Sequence, residues 1–206
     1  MKESVLTATY GANIPTFFSG IKKVLDVGGG DGRRCAEEFY PGSEITVLDL
    51  KNGYDVMKKG LPRDHWDVIL ANHFIEHVSD PDYFLKECWN VMVPSHTVLD
   101  IGTPNLTAWF NRALFLFGYV PHSVELSRVH NVGKAFDWNE EELGGHVYVY
   151  SVPALVQLLT KFGFKITSVT GEASTFPCNP VIKIVDRAMT ALSPNLASAF
   201  RIKCLV

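Results

Sequence analysis

The sequence predicts an α/β fold built on a mostly parallel, doubly wound sheet, and three observations carry that expectation. The first is Val24-Leu25-Asp26-Val27-Gly28-Gly29-Gly30-Asp31-Gly32, an apolar run that stops at an acid and opens into glycines. The second is Ile45-Thr46-Val47-Leu48-Asp49, a β-branched run whose closing acid lies twenty-one residues beyond Gly28. The third is Trp66-Asp67-Val68-Ile69-Leu70-Ala71-Asn72, an apolar strand followed by helix-start signals. Near-continuous apolar strands alternating with helices suit a sheet buried on both faces, with ligands lying beyond the strands' carboxyl ends.

Taken in order, residues 1–20 are mixed, with Pro15 and the adjacent Phe17 and Phe18 ahead of the first strand. The glycine turn permits positive φ and close approach to a ligand, and a helix is expected from about Arg33 to Tyr40. Asp80 caps a later helix with Pro81 at its first position, and Phe84, Leu85, Cys88, Trp89 and Met92 share one face. That helix must stop before Pro94, and Thr97–Ile101 reads as the next strand, left by Gly102-Thr103-Pro104-Asn105. Leu106, Trp109, Phe110, Ala113, Leu114 and Phe117 recur at helical spacing, which fits core packing or, more sharply, a lid.

Residues 121–147 are the least patterned and the richest in titratable groups: His122, Glu125, Arg128, His130, Asp137, Glu140, Glu141, Glu142 and His146. We read 103–147 as an insertion covering the substrate site, because a long loop within a compact domain is usually functional. Ser151 caps a helix with Leu155, Leu158, Leu159 and Phe162 inward and Gly163 as its stop. Phe164–Val169 alternates as a strand does. Val181, Ile182, Ile184, Val185, Ala188, Met189 and Leu192 then mark an apolar helix face that packs on the sheet or on a second subunit. A membrane-surface role for that helix is disfavoured here because its polar face is not rich in basic residues.

A dinucleotide fingerprint, G-x-G-x-x-G, needs a third glycine where Arg33 stands. Instead, Asp26-x-Gly28-x-Gly30-x-Gly32 resembles the first motif of class I S-adenosylmethionine-dependent methyltransferases, most like the small-molecule "type 11" group. The segment from Trp66-Asp67 through Glu76-His77-Val78 to Asp80-Pro81 is similar to that family's fourth motif. The resemblance implies a Rossmann-like three-layer sandwich, with Ala199–Val206 as the antiparallel last strand. It implies that the turn at Gly28 and Gly30 passes under the methionine part of S-adenosylmethionine while Asp26 orients the ammonium. Asp49 would hold the ribose, Asp55 the adenine and Asn72 the methionine end. The stretch from Tyr54 to Pro62 is shorter than the family's usual helix plus strand, so the third strand is expected to shrink to a few residues. Members of the group act in sugar, lipid and cell-envelope biosynthesis, and the acceptor is expected to be a small molecule with a hydroxyl or amine.

Methyl transfer from a sulfonium needs positioning and water exclusion more than a catalytic residue. A hydroxyl acceptor is helped by a base, and His77 is the best placed; its plain alternative is a histidine satisfied within the loop or helix. No metal is expected. The alternative ligand set is His73, Glu76 and His77, read as one helical face with His146 or His130 as a fourth ligand, since some O-methyltransferases bind a divalent ion through a similar E-x-x-E-H. The same H-x-x-E-H matches an inverted zinc-protease pattern, which would leave the glycine turn and Asp49 without a purpose. The other competitors are a cofactor-binding subunit with no catalysis and an NADP oxidoreductase. Tyr54-x-x-x-Lys58 mimics a dehydrogenase pair but lies too early in the chain to reach a nicotinamide.

Composition narrows the classes. With 206 residues, 47% of them hydrophobic, 1–206 suits one domain with a core that needs no staples. A net charge of −3 and the lack of any basic stripe disfavour nucleic acid. Cys35, Cys88, Cys178 and Cys204 are widely spaced and read as reduced core residues. Without a signal segment or a spanning apolar stretch, a cytoplasmic protein with no stable membrane insertion is the expectation, with a homodimer left open.

Overall fold

Lys23–Val27 (β1) and Glu44–Leu48 (β2) flank Arg34–Phe39 (α1), and Val56–Lys59 (α2) leads to Val68–Asn72 (β3) and Pro81–Val91 (α3). Val98–Pro104 (β4), Trp109–Leu116 (α4), Val152–Lys161 (α5), Lys165–Glu172 (β5), Pro180–Leu192 (α6) and Ala199–Leu205 (β6) complete the order. The computed structural model describes residues 22–30, 34–135, 144–174 and 179–206. The lead-in 1–20, Asp31, Gly32, Arg33, Asp137, Glu140, Glu141, Glu142 and Cys178 lie outside the described residues, as does the side chain of Cys35.

The strands form one sheet in the order β2-β1-β3-β4-β6-β5, with β1 to β4 parallel and β6 antiparallel to both neighbours. The chain steps from β1 outward to β2 and then returns to the other side of β1. The strand order therefore reverses between β1 and β3, which is where such sheets open a crevice for ligands.

The apolar runs of the sequence are explained by burial on both faces. Val24 packs with Ala36, Tyr40, Val68 and Leu70. Leu25 and Val27 point the other way and join Ile69, Leu99, Phe84 and Leu155 in the larger core. Each fully buried aliphatic or aromatic side chain there contributes roughly 1.5–3 kcal/mol. The caps hold as the sequence suggests: Asp80 Oδ1 accepts from Tyr83 N at 2.9 Å and Ser151 Oγ from Ala154 N at 3.3 Å. Cys88 and Cys204 are buried free thiols.

Four expectations are adjusted. Between β2 and β3 the described chain has a 3-10 turn and the four-residue α2 but no strand, so the shortened third strand is lost altogether. β4 runs to Pro104 rather than ending at Ile101, because Gly102, Thr103 and Pro104 stay in register with Arg201, Phe200 and Ala199 of β6. The stripe along α4 is not core: Asn111 is the helix's buried residue, Leu106, Trp109, Phe110 and Leu114 are half-buried, and Ala113 and Phe117 are exposed, as are Phe115 and Leu116 beside them. Likewise α6 turns Asp186 inward and leaves Val181, Ile182, Ile184 and Leu192 exposed, so these four do not pack on the sheet.

Candidate active site

The carboxyl end of β1 carries a buried acid. Asp26 is 1% exposed, and its Oδ2 has no hydrogen-bond partner among the described residues. Burial, and secondly the charge of Asp49, pushes its carboxyl up to about 6. A buried carboxylate oxygen without a partner is costly unless a cation or donor completes it.

The glycines fit around this acid. A Cβ on Gly29 would stand 2.5 Å from Asp26 Oδ2, and one on Gly28 would run into the Phe74 ring. Gly28 and Gly30 take φ of 78° and 68°, a region that side chains other than Gly rarely enter. Gly30 N–H donates to Asp49 Oδ2 at 2.9 Å, and Lys51 N–H to Asp49 Oδ1 at 2.8 Å. The Asp49 carboxylate is thus held by two backbone donors and keeps two of its roughly four lone-pair sites for a ligand. Leu50, beside it, is 72% exposed and offers an apolar surface that sequence reading overlooked.

Asp55 caps α2, accepting from Met57 N at 3.0 Å, and its other oxygen pairs with Lys58 at 3.1 Å. At the end of β3, Asn72 Oδ1 accepts from Arg201 Nη2 at 2.8 Å. Arg201, also overlooked in the sequence, is nearly fully buried. It donates to Asp100 Oδ1 at 2.9 Å and Glu172 Oε1 at 2.8 Å, with its guanidinium 3.6 Å above the Phe39 ring.

The turn after β3 corrects the helical reading of His73, Glu76 and His77. His73 has φ of 51°, and residues 73–79 form turns. The Glu76 carbonyl, which a helix would bond to the amide of residue 80, accepts instead from Val147 N at 2.7 Å and Tyr148 N at 3.1 Å. Glu76 itself is buried and accepts from Thr103 Oγ1 at 3.0 Å, with His73 Nδ1 3.1 Å from its other oxygen.

These backbone bonds bring His146 to the turn. The His77 and His146 rings lie 4.9 Å apart, and with Glu76 they offer three ligand atoms within 4.8 Å of one another. His77 Nδ1 is 3.3 Å from Gly145 O and His146 Nδ1 is 3.1 Å from Ser123 O. A carbonyl can only accept, so each ring carries a proton on Nδ1, and the neutral tautomer that fits this contact has Nε2 as its acceptor. Burial, then the neighbouring His77, lowers the His146 pKa, which keeps that ring neutral. Among the described residues His73, Glu76, His77 and His146 come together, whereas His130 stands on the exposed part of the 121–135 loop.

With this geometry in view, likeness to known proteins decides the family. Residues 8–169 match the family described as "Methyltransferase domain". The chain belongs to that family. Its fold is that of the class I S-adenosylmethionine-dependent methyltransferases. A structure of an S-adenosylmethionine-dependent methyltransferase from Archaeoglobus fulgidus is 19% identical, covering 92% of this chain and 88% of that one at a TM-score of 0.56. Phosphoethanolamine N-methyltransferase 2 of Haemonchus contortus, in complex with S-adenosyl-L-methionine, is 11% identical over 95% of this chain and 50% of its own, with a TM-score of 0.50. A ubiquinone biosynthesis O-methyltransferase of Proteus mirabilis (strain HI4320) is 30% identical over 111 residues, or 43% of this chain. This methyltransferase spans less than half of that relative, 45% of its length.

The residues present fit the family's cofactor, S-adenosylmethionine. The unpartnered Asp26 Oδ2 suits an ammonium, the side-chain-free turn suits close approach, and Asp49 has acceptor capacity left for sugar hydroxyls. Among the described residues no helix of this methyltransferase is long and apolar enough to cross a membrane.

Proposed function

We propose that this methyltransferase moves a methyl group from S-adenosylmethionine to an oxygen or nitrogen of a small molecule held over the turn after β3. The observation that carries the reading is the buried Asp26 Oδ2, without a partner among the described residues, at the point where the strand order reverses. In this reading Asp26 faces the ammonium, Gly28 and Gly30 clear the path beneath the methionine part, and Asp49 accepts from the ribose hydroxyls. Asn72 borders the methionine end. Asp55 serves the adenine with the lone pairs that its capping role leaves over, and Leu50 supplies an apolar surface beside it. Residues 103–147, within a single domain 1–206, cover the acceptor; support comes from the backbone bonds that tie Val147 and Tyr148 to Glu76.

When bound, the cofactor supplies an electrophilic methyl carbon on a positively charged sulfur. What the chain adds is position and a proton acceptor. His77 Nδ1–H is anchored on Gly145 O, so Nε2 is free to take the proton of an acceptor hydroxyl. The resulting imidazolium stands 4.0 Å from the buried Glu76 carboxylate. The likeness to an O-methyltransferase supports a hydroxyl as the group methylated.

Calorimetric titration tests this reading. S-adenosylhomocysteine is expected to bind and NADPH to fail, with Asp49→Ala weakening the former by roughly ten- to a hundredfold. Binding of NADPH alone would overturn it. His77→Gln is expected to cut turnover by about 10²- to 10⁴-fold while cofactor affinity stays put. Full turnover would remove His77 from the mechanism, and binding without turnover on any acceptor would favour a non-catalytic partner subunit.

A second reading is favoured by the convergence of Glu76, His77 and His146, with His146 in the place sequence reading gave to His73. Two imidazoles fixed through Nδ1 on backbone carbonyls, facing a buried carboxylate, match the way proteins orient divalent-metal ligands. Elemental analysis of protein purified without chelator should then find a stoichiometric ion that His146→Ala loses. No ion, together with activity indifferent to chelator, would dispose of this reading and of any metal-dependent hydrolase.

A further inference from the structure

We infer that the outward faces of α4 and α6 form a docking surface for an anionic lipid bilayer. The two helices are neighbours: Trp109 Nε1 donates to Asp186 Oδ1 at 2.8 Å, and Arg112 Nη2 reaches Asn195 O at 3.5 Å. Each carries bulky apolar groups into solvent. Leu116 is 85% exposed and Phe117 79%, and on α6 Ile184 is 67% exposed and Leu192 73%. On α6 the exposed Val181 and Ile184 are spaced to share one side of the helix, and the buried Asp186 is on the other. Isolated exposed apolar residues are ordinary, but two adjacent helices that both do this call for a covering phase.

The charges select the occupant. Among the described residues of 105–135 and 179–193, every exposed charged side chain is a cation: Arg112, Arg128, Lys183 and Arg187. The two carboxylates of these segments face inward. Glu125 accepts from Gly145 N at 3.1 Å and lies 3.5 Å from His146. Asp186 accepts from Trp109, from Ser198 Oγ at 2.7 Å and from Ser174 N at 2.7 Å. The whole chain is net −3, so this collection of cations is a local segregation and not a general excess. On sequence alone α6 is too poor in basic residues for a membrane surface, since Asp186 offsets one of its two cations. With that acid buried, the helix shows the solvent only cations and apolar groups among its charged and bulky side chains.

A second copy of this face would set Arg112, Lys183 and Arg187 against the same cations, which disfavours self-association across it. A bilayer with anionic headgroups supplies the opposite charge in a plane and an apolar layer just beneath, the environment that an amphipathic cationic surface fits. Phe115, Leu116 and Phe117 at the end of α4 would enter the headgroup boundary, with Arg112, Lys183 and Arg187 among the phosphates. Docked so, the methyltransferase would work beside the membrane and could draw an acceptor from it.

Flotation of the full chain with vesicles tests this. Binding is expected to phosphatidylcholine vesicles containing ~30 mol % phosphatidylglycerol and not to pure phosphatidylcholine, and to fall as salt rises from ~0.1 M to ~1 M. Arg187→Glu should weaken it roughly thirtyfold, and the paired change Leu116→Glu with Phe117→Glu at least about tenfold. S-adenosylhomocysteine affinity should be unchanged in both, which separates this outcome from failure of the cofactor site. Lack of flotation by the unaltered chain on anionic vesicles would overturn the inference, whatever the variants do. So would light scattering that shows a dimer broken by Leu116→Glu with Phe117→Glu, because the face would then be covered by protein.

Discussion

Asp26→Asn is expected to make the cofactor-free methyltransferase more stable at neutral pH and to weaken S-adenosylhomocysteine by at least about tenfold. The two effects have one cause. Burial raises the Asp26 carboxyl from the ordinary value near 3.8 to about 6, so above that pH the folded chain holds a charge that the unfolded chain solvates better. Below pH 3.8 both states are protonated and the group contributes nothing. Between 3.8 and 6 the unfolded state ionises first, and stability declines as pH rises; above 6 the full cost is present.

A shift of this size corresponds to about 2–3 kcal/mol. The amide introduced by the substitution would also lack a partner, so the recovered stability is smaller, about 1–2 kcal/mol, or roughly 2–8 °C in melting temperature for a chain of this length. Melting curves of both proteins from pH 4 to pH 8 check it: the unaltered chain should lose stability through the window and the variant should not. A ligand ammonium reverses the balance by supplying the countercharge, so S-adenosylhomocysteine should bind the unaltered chain more tightly above pH 6 than below. Methylthioadenosine lacks that ammonium and should bind the two proteins alike. If Asp26→Asn weakens both ligands equally, the carboxylate acts on the shape of the turn and not on the charge.

The parts of this site that the sequence made legible are those in which one short segment carries the whole signal. The β1 glycine turn and the acid ending β2 are such segments, as are the capped starts of α3 and α5, because apolar runs and caps depend on near neighbours. What was not legible depends on distant pairing. Gly29 looks like any residue of a glycine cluster until the Asp26 carboxylate is found against it. His73, Glu76 and His77 look helical by spacing, yet Val147 and Tyr148 take the carbonyl that a helix would need. Spacing finds an apolar stripe on α4 and α6 but cannot say whether a neighbour covers it, and on α4 core packing gives way to half-burial at Trp109, Phe110 and Leu114 and to exposure at Phe117. Arg201 carries no local signal at all, since its partners Asn72, Asp100 and Glu172 stand on three other strands.

That arginine yields the second large expected effect. Arg201→Met should destabilise the chain by about 3–5 kcal/mol, because it strands the carboxylate of Asp100 in a wall with no exposed surface. Tyr40 O–H at 2.5 Å and Lys203 at 3.5 Å would be left to share that charge. For a chain of this length the loss corresponds to a fall in melting temperature of about 6–20 °C. Arg201→Lys should recover only part of it, since an ammonium cannot span three partners as a planar guanidinium does. A double change, Arg201→Met with Asp100→Asn, removes the stranded charge and should restore a good share of the stability. It should not restore cofactor affinity if Asn72 belongs to the site. Arg201 Nη2 holds Asn72 Oδ1, which turns the amide nitrogen of Asn72 the other way, and Gly102 lacks the Cβ that would collide with Asn72 Oδ1 at this crossing. Gly102→Ala leaves Arg201 and Asp100 chemically intact, so it should weaken S-adenosylhomocysteine more than its effect on the melting temperature would suggest. Equal affinity in Gly102→Ala and the unaltered chain would mean that the Asn72 amide faces no ligand and that the Arg201 network serves only to hold β3, β4, β5 and β6 together.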